Sequence, residues 1–76
     1  MGKKLSTYWS DEEPGKYCEI HINLKEEYFY IKYFDAKGKM YYKEDHIGKS
    51  MRWAEDAAEN WALGIKKIGV LYGWKI

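Results

Sequence analysis

The chain has 76 residues, 46% of them hydrophobic and 18% aromatic, with a formal net charge of +1 at pH 7. That length holds one domain with one small core, and so large an aromatic share excludes a disordered chain. The near-neutral charge excludes a global field that would draw in nucleic acid or an anionic membrane.

A single cysteine, Cys18, cannot close an internal disulfide, which points to a reducing compartment. No apolar run reaches membrane-spanning length, and the stretch MGKKLSTYW lacks the apolar core of a signal peptide. The expectation is a soluble, cytoplasmic protein without a membrane partner.

Residues 1–16 are polar and turn-rich, with the only proline, Pro14, inside SDEEPGK. They read as an N-terminal arm, or as a short extra strand over residues 5–9. Residues 17–24, YCEIHINL, alternate. Cys18, Ile20, Ile22 and Leu24 share one face, and Tyr17, Glu19, His21 and Asn23 share the other, as in a half-buried strand. After a polar link at 25–27, residues 28–34, YFYIKYF, supply a second strand of β-branched and aromatic residues. Phe29, Ile31 and Tyr33 make its core face, opposite Tyr28, Tyr30, Lys32 and Phe34. DAKG at 35–38 signals a hairpin, with Asp35 starting a type I turn and Gly38 taking a positive φ. Residues 39–45 return as a third strand, with Met40 and Tyr42 inward and Lys39, Tyr41 and Lys43 outward. Residues 17–45 thus form an antiparallel meander.

Residues 49–65, KSMRWAEDAAENWALGI, carry the helical signal. Met51, Ala54, Ala58, Trp61 and Ile65, and then Ile68, are three or four residues apart and fall on one stripe. Arg52, Glu55, Asp56, Glu59 and Asn60 face water. Ser50 is the expected N-cap and Gly64 the expected stop. Trp61 supplies bulk among Ala54, Ala57, Ala58 and Ala62, while Trp53 lies off the stripe. Residues 67–76 read as a last strand, with Ile68, Val70, Tyr72, Trp74 and Ile76 on one face. The fold expected for this single domain, residues 1–76, is α+β. An antiparallel sheet of three to four strands has one α-helix packed on one face, in the order β-β-β-α-β.

Catalytic signals are sparse. Cys18 and His21 point to opposite faces of one strand, and no pair of Cys or His has zinc-site spacing. Asp45–His46 and Glu19–His21 are acid–base neighbours, but no third group orients either pair. No glycine motif cradles a phosphate. The expectation is no enzymatic activity, no cofactor, no metal and no small-molecule substrate.

One helix covers one face of such a sheet. The other face is expected to carry Tyr17, His21, Tyr28, Tyr30, Phe34 and Tyr41, with Lys32 and Lys43 among them. Monomers rarely expose so many aromatics together unless the patch binds something. Tyr28, Tyr30 and Tyr41, with His21, Lys32 and Lys43, are the expected partner-binding surface. The expected partner is a protein, either a host protein or a second copy. Single-stranded nucleic acid stacked on the aromatics is the alternative. Against it, residues 17–48 hold five lysines and six carboxylates, a poor balance for phosphate. In a third reading the N-terminal arm or the last strand lies across this face.

The segment YFYIKYFDAKGKMYYKEDHIGKSMRWAEDAAENWALGI resembles the hairpin-then-helix module of small bacteriophage-encoded accessory proteins, some anti-CRISPR proteins among them. The order β-β-β-α-β is also similar to antitoxins of the HicB family, whose partial double-stranded-RNA-binding-like fold masks a toxin. Where those antitoxins carry a glycine- and proline-containing segment between the second and third strands, this chain has DAKG. The resemblance spans roughly residues 17–65 and carries over no functional residue. It implies a non-catalytic protein that binds and redirects a host protein, or else an antitoxin or a self-associating structural protein.

Overall fold

The computed structural model describes residues 2–66. Within them the chain runs β1 (Gly2–Trp9), β2 (Tyr17–Asn23), β3 (Tyr28–Phe34), β4 (Met40–His46) and α1 (Met51–Ala62). The strands neighbour one another in chain order and every pairing is antiparallel. The fold is therefore α+β, a four-stranded antiparallel sheet with one helix. The order among the described residues is β-β-β-β-α, not the expected β-β-β-α-β. The last strand expected at 67–76, Ile68 included, lies outside the described residues.

The first eight of these residues take the second of the two expected forms, an extra strand, and extend it from 5–9 to Gly2–Trp9. They are a full edge strand and not an arm, paired with β2 from Gly2–Asn23 to Trp9–Tyr17. Alternation hid this strand because Leu5 is an inserted residue. The ladder steps from Lys4–His21 directly to Ser6–Ile20, so the two-residue period breaks in mid-strand.

Side chains close the turns. Asn23 Oδ1 accepts the backbone N–H groups of Lys25 and Glu26, each at 3.0 Å. The strand therefore ends at Asn23, and Leu24, expected on the core face, is exposed in the turn. At the next hairpin the Gly38 N–H donates to the Asp35 carbonyl at 2.9 Å, with Gly38 at φ 85°. Asp35 Oδ1 accepts from the N–H groups of Lys37 and Lys39 at 2.9 Å each, as the DAKG signal implied.

The helix begins where Ser50 Oγ accepts the Trp53 N–H at 3.2 Å. Ser50→Ala should lower stability by about 1 kcal/mol in urea unfolding, because it strips the first turn of this acceptor. At the other end Gly64 takes φ 85°. Its N–H reaches the Trp61 carbonyl at 3.0 Å, and the Ile65 N–H reaches the Asn60 carbonyl at 2.9 Å. This left-handed turn stops the helix at Ala62, inside the expected 49–65. It also throws Ile65 off the buried stripe, leaving that side chain 71% exposed.

The helix lies across β1, β2 and β3. Cys18, Ile20, Ile31 and Tyr33 from the sheet meet Ala54, Ala58, Trp61 and Ala62 from the helix. The alanines let the backbones approach, and the Trp61 ring fills the remaining space edge-on to Tyr33, 5.3 Å between centroids. Among the described residues, no helix is long and apolar enough to cross a membrane.

Candidate functional site

The sheet face away from the helix is organised by the ladder into cross-strand rows. At one end Trp9 stands opposite Tyr17, Tyr17 opposite Phe34, and Phe34 opposite Met40, so one row crosses all four strands. The Trp9 and Tyr17 rings are 4.8 Å apart, and Tyr17 stacks on Phe34 at 4.8 Å with 11° between planes. Tyr17 is thus enclosed on both ring faces. The ends of the row are open, with Trp9 61% and Met40 45% exposed. The next row is Thr7, Glu19, Lys32 and Lys43, and the third is Lys4, His21, Tyr30 and Asp45.

Tyr30 anchors the far end of this face. His21 stacks on it at 5.2 Å, Tyr28 tilts against it at 6.0 Å, and the Lys43 ammonium lies 4.7 Å from its ring centroid. Its hydroxyl lies in the space that a Cβ on Gly2 would occupy, so a side chain there would have to displace the end of Tyr30. Only 9% of Tyr30 remains exposed. The structure brings together His21, Tyr28, Tyr30, Lys32 and Lys43 as the sequence implied, but Tyr30 is a buried support and not a contact surface.

Tyr41 does not belong to this face. The β3–β4 ladder steps from Tyr33–Tyr42 to Phe34–Met40, which leaves Tyr41 as an inserted residue. It turns toward the helix side, beside Trp61 and Lys16, where the Lys16 ammonium is 5.4 Å from its ring. Burial raises the pKa of its hydroxyl, against the opposing effects of Lys16 and a hydrogen bond with Trp61. The same insertion sets Met40, expected inward, in line with the outer row. Trp9 and Met40 were thus missed from sequence, because their positions depend on the two inserted residues Leu5 and Tyr41.

On the helix side, β4 carries a polar cluster. Oε1 of Glu44 accepts the Tyr33 hydroxyl at 3.0 Å, His46 Nε2 at 3.0 Å and Lys66 Nζ at 2.7 Å. Burial disfavours the charged carboxylate, but the Lys66 hydrogen bond and charge, with His46 and Tyr33, outweigh it and hold its pKa below the ordinary value. Burial, then the Glu44 charge, push the Tyr33 hydroxyl upward. A groove of about 430 Å³ beside the cluster is lined by Trp53, Asp56, Ala57 and Asn60 of the helix. The partner of His46 is Glu44, two residues back on the same face, and not the adjacent Asp45, which lies 3.5 Å from Lys43. The Glu19–His21 pair forms as its shared face implied, at 2.9 Å.

Cys18 is fully buried, and burial pushes its thiol up to about 12, so it is neutral and shielded at pH 7. Among the described residues, no three His, Cys, Asp or Glu side chains are grouped to hold a metal ion. No protein-family model, no curated protein and no solved structure matches the chain.

Proposed function

We propose that this chain is a small non-catalytic protein–protein interaction module that binds through the open face of its sheet. The row Trp9–Tyr17–Phe34–Met40 is the observation that carries this reading. It is a continuous aromatic and apolar ridge with an exposed tryptophan at one end, the composition found at the centre of protein interfaces.

Ring geometry favours protein over nucleic acid as the partner. Base stacking needs open ring faces, whereas Tyr17 is closed between Trp9 and Phe34, and Tyr30 between His21 and Lys43. The face is also a better docking surface than the edges. Both edge strands, β1 and β4, carry an inserted residue that interrupts the ladder an added strand would need. The resemblance to phage accessory modules supports a host protein as the partner, met in a cytoplasm where Cys18 stays reduced.

The test is a Trp9→Ser, Met40→Ser variant. Both side chains are exposed, so folding by circular dichroism should change little. A protein captured by the wild type from the cells that make it, then purified, should lose at least about 2 kcal/mol of affinity for the variant. Equal affinity for both forms would exclude this face. Tight binding of an oligothymidylate that fades steeply with salt would instead support the nucleic-acid reading.

A further inference from the structure

Provided that the open face binds protein as proposed above, we infer that the partner is an acidic segment, one of whose carboxylates is received between Lys32 and Lys43. These two lysines stand directly opposite each other in the β3–β4 ladder, in the middle of the face. Like charges in that position work against the sheet. Both ammonium groups lean over the same Tyr30 ring, at 6.0 and 4.7 Å from its centroid. Glu19 is the cross-strand neighbour of Lys32 on the other side and would be its natural counter-ion. Its carboxylate is turned away, 2.9 Å from His21 and 3.9 Å from Lys4. Asp45 lies 3.5 Å from Lys43, which leaves Lys32 as the member of the pair with no carboxylate in ion-pair range among the described residues.

The centre of the face is therefore a cationic pair one row from the aromatic ridge, short of one negative charge. A partner that places an apolar side chain on Trp9 or Met40 and a carboxylate at Lys32 satisfies both. A second copy docked about a two-fold axis through this centre would bring four ammonium groups together, so charge complementarity disfavours it. A nucleic-acid backbone fits less well. Glu19 and Asp45 flank the pair, so the lysines form one anion position and not a basic track.

The probe is a short peptide of alternating Glu and Phe, with the same peptide carrying Gln for Glu as its control. Fluorescence titration should show the acidic peptide binding at least about tenfold more tightly than the control. Lys32→Gln and Lys43→Gln should each weaken the acidic peptide by about tenfold. Neither should lower the melting temperature by more than about 3 °C, because each relieves a like-charge contact. Equal binding of the two peptides, unchanged affinity in both lysine variants, or a melting loss well beyond that limit overturns the inference. So does an oligothymidylate that outcompetes the acidic peptide through the same two lysines. If Trp9→Ser weakens the peptide and the lysine variants do not, the face binds protein and only the acidic chemistry is wrong. If none of the three variants matters, both readings fall.

Discussion

Trp61→Ala should remove a large share of the domain's stability. Trp61 is 8% exposed and meets Tyr33 edge-on at the centre of the helix–sheet contact. Its neighbours on the helix are Ala54, Ala58 and Ala62, whose side chains are too short to move into the space it would vacate. Opposite it, Tyr33 is held by its bond to Glu44 and cannot swing in without losing that acceptor. The cavity would therefore persist, and the loss should be about 3–5 kcal/mol. A domain of this size has a total stability of about 4–11 kcal/mol. Urea unfolding followed by circular dichroism measures the effect, with Trp61→Phe as a control that keeps a ring and loses less. A folded Trp61→Ala protein within about 1 kcal/mol of the wild type would show that the helix is held by something other than this contact.

The sequence made β2, β3 and α1 legible because in each the hydrophobic period coincides with burial. Cys18 and Ile20 alternate, as do Ile31 and Tyr33, and Ala54, Ala58 and Trp61 follow a helical stripe. The DAKG turn was legible because its two special residues have local jobs, Asp35 as acceptor and Gly38 at positive φ. What escaped is what a single inserted residue does. An extra residue at Leu5 broke the alternation that would have revealed β1, and another at Tyr41 exchanged the faces of Tyr41 and Met40. Part of the candidate site was therefore read correctly, with His21, Tyr28, Lys32 and Lys43 on the outer face, while its exposed anchors were not. Glu44 escaped for a different reason. A charged residue at a core-facing position looks like an error in the pattern until its partner Lys66, 22 residues away, is seen beside it.

Glu44 is where stability should couple most visibly to pH. Its pKa is held below the ordinary value, 4.5, so the ionised form is favoured by folding. The stabilisation is present above about pH 4.5 and is lost as the pH falls through the lowered folded value. Glu44→Gln keeps the shape but removes the charge that Lys66 and His46 meet, and leaves three donors, the buried Tyr33 and His46 and the half-buried Lys66, facing a weaker acceptor. At pH 7 the loss should be about 1–3 kcal/mol. On acidification the wild type should lose its advantage, and the two proteins should converge in stability as the pH falls below about 4.5 and through the lowered folded value. Asp35, whose pKa is also lowered, by its backbone hydrogen bond from Lys39, is present in both proteins and cancels in the difference. Urea midpoints across that pH range give the comparison. A constant gap at every pH would mean that the charge of Glu44 contributes nothing to stability. A gap that closes on acidification would identify the ionised Glu44 carboxylate, held by Lys66, His46 and Tyr33, as a stabilising contact of β4.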